Sequence, residues 1–164
     1  MNKKSQRTRP NWDEYFMQIL ATVSTRATCD RGYSGSIIVR DKRILSTGYV
    51  GAPAGLPHCD EVGHEMHQVT NEDGSVSNHC IRTTHAEQNA IVNAAREGIA
   101  INGATVYCQM EPCYTCAKLI INAGIIRVVC NNLYHRAQRS REIFKMANVE
   151  LVVLNDSEEQ YSNK

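Results

Sequence analysis

One histidine, one glutamate and two cysteines have a spacing that could hold a metal ion beside a proton acceptor. His85 and Glu87 form the string H-A-E, and Cys113 and Cys116 follow Pro112 in the string P-C-Y-T-C. Because the two cysteines are three residues apart, both sulfur atoms face the same side of a helical turn and can share one ion. Thiolates and imidazoles are ligands that Zn²⁺ prefers, so the pattern indicates a zinc site.

Three protein ligands leave tetrahedral Zn²⁺ with one open position for water, which is typical of catalytic sites. Glu87, two residues after the candidate ligand His85, can take a proton from that water and pass it to a substrate. Two alternatives stay open. The cluster could be a structural zinc knot with Cys108 or Cys80 as its fourth ligand, or the C-Y-T-C pair could be redox-active.

These candidate ligands stand at the beginnings of two predicted helices in an alternating helix and strand pattern. Apolar spacing predicts a first helix from Trp12 to about residue 26, with its aromatic stripe in the core, and a hairpin over 35–50. The later pattern predicts helices near 85–97, 113–123 and 136–147 and strands at 104–110, 126–131 and 149–154. The sequence therefore predicts an α/β fold in which helices cover both faces of a five-stranded mixed sheet, a three-layer α-β-α sandwich.

The length and composition of the chain favour one domain. The chain has 164 residues, of which 42% are hydrophobic and 21% are charged, which suffices for one substantial core. We predict a flexible arm over 1–10, a single domain over 11–155 and a polar tail over 156–164. Residues 51–84 lack hydrophobic periodicity and contain four of the six histidines, so something other than apolar burial must order them.

Charge and hydropathy argue against two classes of partner. Eighteen Lys+Arg against seventeen Asp+Glu leave a net charge of +1, which disfavours binding to bulk nucleic acid or to an anionic membrane surface. No apolar run approaches the roughly 20 residues that span a bilayer, and the first residues do not resemble a signal peptide. Seven cysteines without an export signal favour metal ligation over disulfides. We therefore expect a cytoplasmic protein.

Four stretches of the chain resemble the deoxycytidylate deaminase branch of the zinc-dependent cytidine deaminase family. They are C-D-R-G-Y-S-G-S-I-I-V, S-T-G-Y-V-G-A-P-A-G, H-C-I-R-T-T-H-A-E-Q-N-A-I and P-C-Y-T-C-A-K-L-I-I-N-A-G-I. H-x-E with P-C-x-x-C is the signature of zinc nucleobase deaminases. The resemblance implies a cytidine deaminase-like fold, hydrolysis of dCMP to dUMP and ammonia, and a homo-oligomer, either a hexamer or a dimer.

The resemblance also implies roles for individual residues. It implies that the catalytic zinc is held by His85, Cys113 and Cys116 and that the proton is carried by Glu87. It also implies that backbone groups around Ala86 bind the base and that Tyr134 lies near the nucleotide. A phosphate needs a positive partner, for which we choose Arg26 because it ends the first predicted helix. The alternatives are Arg31, Arg82 and Arg136.

Some relatives carry a second, structural zinc. Cys29, Cys59 and His79 best resemble its ligands, and we prefer His64 to His67 as the fourth. A second zinc would supply the order that residues 51–84 cannot obtain from apolar burial.

Two residues depart from the family pattern. Val50 stands where the family has an asparagine that contacts the nucleotide, and Glu111 stands where many relatives have an uncharged residue. These departures keep open a deaminase of another amino-heterocycle or nucleotide, such as dCTP, cytidine or a purine. A catalytically silent nucleotide-binding module is the alternative from another functional class.

Overall fold

The structure, a computed structural model, describes residues 8–70 and 74–159 of the chain. Its helices are α1 (Trp12–Ser24), α2 (Cys59–Val62), α3 (Ala86–Arg96), α4 (Tyr114–Asn122) and α5 (Gln138–Met146). Its strands are β1 (Gly35–Arg40), β2 (Arg43–Tyr49), β3 (Met66–Thr70), β4 (Val76–Cys80), β5 (Thr105–Met110), β6 (Arg127–Tyr134), β7 (Glu150–Val153) and β8 (Glu158–Glu159). Most of the predicted arm and part of the predicted tail lie outside the described residues. No helix within the described ranges has the length and apolar composition needed to cross a membrane.

A mixed five-stranded sheet forms the centre of the molecule, as predicted. Its strands follow the order β2-β1-β5-β6-β7. β1 pairs antiparallel with β2 and β5, whereas β6 pairs parallel with β5 and β7. The parallel pairs follow from the chain connections, because the helices α4 and α5 carry the chain back to the starting edge of the sheet. The short strand β8 pairs with the end of β6.

Helices cover both faces of the sheet, which confirms the three-layer arrangement. Neighbouring strand residues point to opposite faces, so Ile37 and Ile38 enter different cores, and so do Val128 and Val129. α3, α4 and α5 pack on the face that contains Ile38 and Val128. Among the described helices, only α1 packs on the other face. The central strands are thus buried on both sides, as their continuous apolar runs predict.

The first helix begins at the predicted position with a capping box. Asn11 Oδ1 accepts a hydrogen bond from the Glu14 N–H at 2.9 Å, and Glu14 Oε2 accepts one from the Asn11 N–H at 2.8 Å. The prediction that the aromatic side chains of this helix lie in the core is wrong for two of the three. Phe16 is buried, but Trp12 and Tyr15 are 50% and 42% exposed, because only one side of α1 faces the sheet.

An ion pair fastens α1 to the central sheet. Arg127 of β6 donates to both carboxylate oxygens of Asp13 at 2.8 and 2.9 Å, and the Tyr107 hydroxyl donates to Asp13 Oδ1 at 2.7 Å. The hydrogen bonds from Arg127 hold the pKa of Asp13 below its usual value, although partial burial opposes this. The carboxylate therefore stabilises the folded chain only while it is ionised.

We expect Asp13→Asn to lower the free energy of unfolding at neutral pH by about 1 to 3 kcal/mol, because the amide loses the bidentate ion pair. Since the folded pKa lies below the unfolded value of about 3.9, this contribution is complete above the unfolded pKa. It is lost as the pH falls through the folded pKa. Urea unfolding of both proteins from neutral to acidic pH measures it. A stability difference that does not shrink in acid would contradict the assignment.

Residues 51–84 contain secondary structure that the sequence analysis did not predict. β3 and β4 form an antiparallel hairpin in which Met66 lies opposite Cys80 and Thr70 lies opposite Val76. Every residue of β3 is exposed. β3 therefore has no alternation of buried and exposed side chains, and β4 carries no alternating apolar residues for hydrophobic periodicity to detect.

Candidate active site

Two helices begin at one edge of the sheet and bring the predicted ligands together. His85 directly precedes α3 and Cys113 directly precedes α4, as the sequence predicts. The chain reaches Cys113 within three residues of the end of β5. The N-terminal ends of both helices carry partial positive charge, so they favour negative charge at the site.

A close contact between β2 and α3 fixes the beginning of α3. A Cβ atom added to Gly48 would overlap the Ala86 carbonyl oxygen and the Ala90 nitrogen, so no side chain fits here. Ser46 Oγ also donates to the Ala90 carbonyl oxygen at 2.7 Å. These contacts hold the first turn of α3, which carries Glu87, against the sheet.

The first cluster has the geometry of a tetrahedral metal site. His85 Nδ1 lies 3.5 Å from Cys113 Sγ and 3.4 Å from Cys116 Sγ. Usual zinc bonds of about 2.3 Å to sulfur and 2.0 to 2.1 Å to nitrogen separate such atoms by roughly 3.6 Å in a tetrahedron. The side chains therefore fit Zn²⁺ without rearrangement.

In the described part of the chain, no fourth histidine, cysteine or carboxylate joins this cluster. The Cys108 thiol donates instead to the Val129 carbonyl oxygen at 3.8 Å, and Cys80 belongs to another cluster. The alternative of a closed structural knot at His85 thus has no fourth ligand among these residues, and one metal position stays open for water.

Shared protons link the three side chains of the first cluster. Hydrogen bonds from Cys116 and His85 lower the pKa of Cys113 to about 4, against the effect of burial. The hydrogen bond with Cys113 in turn raises the pKa of His85 to about 9. Zn²⁺ competes for the same lone pairs, so metal binding would release these protons.

Glu87 lies beside the cluster but outside the set of ligand atoms. The Cys116 thiol donates to Glu87 Oε2 at 3.6 Å. Glu87 does not belong to the group whose ligand atoms all lie within 4.8 Å of one another. Burial raises the pKa of Glu87, and the positive charge of His85 opposes part of this rise. A carboxyl group with a raised pKa can both accept and release a proton near neutral pH.

A cleft leads from the surface to this cluster. Val50, Ala86 and Glu87 line it together with Arg31 and His79. An outer region shares His79 and Cys113 with the cleft, and its other lining residues include Tyr134 and Arg136. Three of the four residues predicted to contact substrate thus line these two adjoining regions: Val50 and Ala86 the cleft, and Tyr134 the outer region.

Arg26, the fourth residue predicted to contact substrate, does not line the cleft. It lies exposed just beyond the end of α1. Arg31 lines the cleft instead, is only 8% exposed, and donates to the Asn78 carbonyl oxygen at 3.1 Å. The prediction selected Arg26 because it ends the first predicted helix, but the path of the chain after α1 brings Arg31 to the site.

A second cluster consists of Cys29, Cys59, His64 and Cys80, whose ligand atoms all lie within 4.8 Å of one another. Cys59 and Cys80 have their sulfur atoms 3.6 Å apart, and Cys29 Sγ lies 3.6 Å from His64 Nδ1. His64 Nε2 donates to Asp30 Oδ1 at 2.9 Å, which leaves Nδ1 directed at the sulfur atoms. Carboxylates orient metal-binding histidines in this way.

The structure corrects the predicted role of His79 in this second cluster. His79 lies outside the group, and its Nε2 is hydrogen bonded to Ser77 Oγ at 2.9 Å. Adjacent residues of a strand point to opposite sides, so β4 directs Cys80 to the cluster and His79 to the cleft. Burial opposes ionisation of Cys80, but backbone N–H groups of Arg82 and Glu65 lower its pKa to about 7.

The fold, the three-ligand cluster and the buried carboxylate together define the class of zinc-dependent hydrolases. Residues 10–132 match the family described as the cytidine and deoxycytidylate deaminase zinc-binding region. The chain therefore belongs to the zinc-dependent cytidine and deoxycytidylate deaminase family, which confirms the resemblance stated from its motifs.

Two curated proteins and one solved structure illustrate the similarity. The chain is 39% identical over 125 residues to the deoxycytidylate deaminase of Mycobacterium phage D29, covering 74% of this chain and 95% of that protein. It is 38% identical over 141 residues to ComE operon protein 2 of Bacillus subtilis, covering 86% and 70%. The dCMP deaminase from the cyanophage S-TIM5, solved in complex with dCMP and dUMP, is 29% identical with a TM-score of 0.71, covering 90% of this chain and 99% of that one.

Proposed function

We propose that the protein is a deoxycytidylate deaminase that hydrolyses dCMP to dUMP and ammonia, with one Zn²⁺ bound by His85, Cys113 and Cys116. The observation that carries this proposal is the buried carboxylate of Glu87 beside a three-ligand cluster at the end of a cleft. The similarity to deoxycytidylate deaminases over most of the chain supports the substrate.

Glu87 carries the protons of the reaction. When bound, Zn²⁺ acidifies a water molecule and supplies it as a nucleophile. The carboxylate of Glu87 accepts a proton from this water and delivers it to the ring nitrogen next to the amino-bearing carbon. It then accepts the second proton of this water, whose oxygen has bonded to that carbon, and passes it to the amino group, which leaves as ammonia when its bond to the carbon breaks. The Ala86 N–H lies in the first turn of α3, where backbone N–H groups have no acceptor within the helix, and we assign it to the base.

A positively charged side of the cleft favours a nucleotide over a free base. Arg31 lines the inner cleft and Arg136 lines the outer region. Arg136 Nη1 donates at 2.9 Å to Ser77 Oγ, the same hydroxyl that is hydrogen bonded to His79. Burial, together with the charges of Arg136 and Arg31, lowers the pKa of His79. We assign the phosphate contact to Arg31 in preference to Arg26.

Ammonia release from a panel of amino compounds tests the proposed activity. The zinc-loaded protein is compared on dCMP, CMP, dCTP, cytidine, cytosine, and adenine and guanine compounds. We expect dCMP to give the highest kcat/KM, at least about tenfold above cytidine, because a charge-assisted phosphate contact contributes 1.5 to 3 kcal/mol. Turnover of another compound with dCMP inert would reassign the substrate. No turnover of any compound would favour a silent nucleotide-binding module.

Val50 is expected to weaken discrimination among nucleotides. Its side chain lines the cleft but offers no hydrogen bond, whereas the family has an asparagine here. We expect Val50→Asn to raise the preference for dCMP over its sugar and phosphate variants by about 5- to 150-fold, equivalent to about 1 to 3 kcal/mol. The ratio of kcat/KM values for dCMP and CMP measures the change, and Val50→Ala controls for altered volume. An unchanged ratio would remove position 50 from substrate discrimination.

We also propose that a second, structural Zn²⁺ binds Cys29, Cys59, His64 and Cys80. Four ligands close a tetrahedral site, and backbone N–H groups two residues after Cys29 and Cys80 donate to their sulfur atoms. Such a site would order the hairpin of β3 and β4, which buries little apolar surface.

The predictions of a homo-oligomer and of a cytoplasmic location remain predictions. Light scattering with and without dCMP would test the oligomeric state.

A further inference from the structure

The carboxylate of Glu111 is buried at the junction of three elements. Its side chain is 1% exposed. Arg141 of α5 donates from Nε to Oε1 at 2.7 Å and from Nη2 to Oε2 at 2.5 Å, and the Tyr134 N–H donates to Oε2 at 2.9 Å. The negative charge is thus neutralised by a bidentate ion pair and one backbone donor. Glu111 therefore does not act as a free carboxylate that would repel a phosphate.

This arrangement connects the metal site with the outer cleft. Glu111 lies two residues before the candidate ligand Cys113, and its N–H donates to the Asn132 carbonyl oxygen at 3.1 Å. Arg141 Nη2 also reaches the Tyr134 carbonyl oxygen at 3.5 Å. The pair thus holds both backbone polar groups of Tyr134, the last residue of β6.

The Tyr134 carbonyl oxygen also accepts from the Ala137 N–H at 3.0 Å, and Tyr134 lies opposite Glu159 of β8, whereas its N–H is bound by the Glu111 carboxylate. β6 ends here, and the chain turns immediately into the segment that leads to α5. Its side chain lines the outer cleft beside His79 and Cys113. A shift of the Tyr134 backbone would therefore move a wall of the cleft while the metal ligands, held by α3 and α4, keep their positions.

We infer that Glu111 and Arg141 are positioning residues for the substrate cleft: their ion pair fixes Tyr134 at the end of β6 and so sets the affinity for the nucleotide. This inference rests on the proposed function, because it takes Tyr134 as a wall of the nucleotide site. Neither residue contacts the reacting atoms. Their loss should therefore raise KM more than it lowers kcat.

Glu111→Gln is the sharpest variant for a test with dCMP. The glutamine amide has one acceptor oxygen and turns its NH₂ group toward either Arg141 or the Tyr134 N–H, so one donor faces another. We expect KM to rise at least tenfold, kcat to change less than threefold, and zinc content to stay equal to that of the parent. Arg141→Lys keeps the positive charge but loses the two parallel N–H donors of the guanidinium group. It should raise KM less than Arg141→Met, which also loses the charge.

Two comparisons separate positioning from general destabilisation. Asp13→Asn breaks the other bidentate arginine pair, far along β6, and should lower the unfolding midpoint without raising KM. Tyr134→Leu should raise KM by itself, and adding Glu111→Gln to it should raise KM no further. A Glu111→Gln protein that loses stability like Asp13→Asn but keeps the parent KM would overturn the inference.

The same measurements distinguish failure of this inference from failure of the proposed function. If the parent deaminates dCMP but Tyr134→Leu keeps the parent KM, the deaminase activity stands and the positioning inference is wrong. A full KM increase from Glu111→Gln in the Tyr134→Leu background would also overturn it. If the zinc-loaded parent turns over no nucleotide, the proposed function fails first. In that case equal dCMP dissociation constants for the parent and Glu111→Gln, measured by calorimetry, would overturn the inference as well.

Discussion

Glu87→Gln is expected to reduce kcat for dCMP by at least a thousandfold while the protein still folds and binds zinc. Glutamine has nearly the same shape, but its amide cannot accept a proton from water and return it to the base. His85, Cys113 and Cys116 are untouched, so metal content should equal that of the parent. Stopped assays with dCMP, zinc analysis and thermal unfolding together measure the three properties.

Glu97→Gln is the matched control for this variant. Glu97 stands at the exposed end of the same helix, where it pairs with Arg96, and surface pairs of this kind contribute little to stability. The control should therefore behave as the parent in all three measurements. If Glu87→Gln retained more than a tenth of the parent kcat, Glu87 would not be the proton carrier.

Cys80→Ser is expected to lower the zinc content from two ions per chain to one and to reduce the unfolding temperature strongly. A hydroxyl is a poor replacement for a thiolate ligand, and structural zinc contributes folding free energy directly. Because the cluster ties β4 to the residues before β1 and to α2, its loss should release the hairpin. Hydrogen exchange over residues 59–80, with metal analysis by mass spectrometry, measures both effects.

His79→Ala tests the adjacent residue, which the structure turns toward the cleft. This variant should keep two zinc ions and most of the stability, but it should raise KM for dCMP. A parent protein that binds one zinc ion per chain would rule out the second site. Loss of one zinc ion from His79→Ala together with retention of two by Cys80→Ser would restore the ligand set expected from the sequence.

The first cluster could be predicted from the sequence because its determinants are local. H-A-E and P-C-Y-T-C each fall within a few residues, and each marks the beginning of a helix with clear apolar periodicity. The five-stranded sheet could be predicted for the same reason, since its strands are continuous apolar runs or a simple hairpin. Local spacing and burial suffice when an element is held by a hydrophobic core.

The contacts that sequence reasoning missed depend on tertiary structure. Cys80 and His79 are neighbours on a strand without apolar alternation, so nothing in the sequence shows which of them faces which side. Arg31 reaches the cleft through the irregular segment after α1. The partner of Glu111 is Arg141, thirty residues away on another element. The sequence around Glu111 therefore does not show that Arg141 neutralises its charge.

The alternation along β4 constrains how this segment can change in evolution. Because Cys80 faces the second cluster and His79 faces the cleft, inserting one residue between Ser77 and His79 would exchange the sides to which both residues point. A substitution alters one contact, whereas such an insertion would disturb two sites at once. Within β4 the chain should thus tolerate changes of side chain at Val76, which is 59% exposed, far better than any change of length.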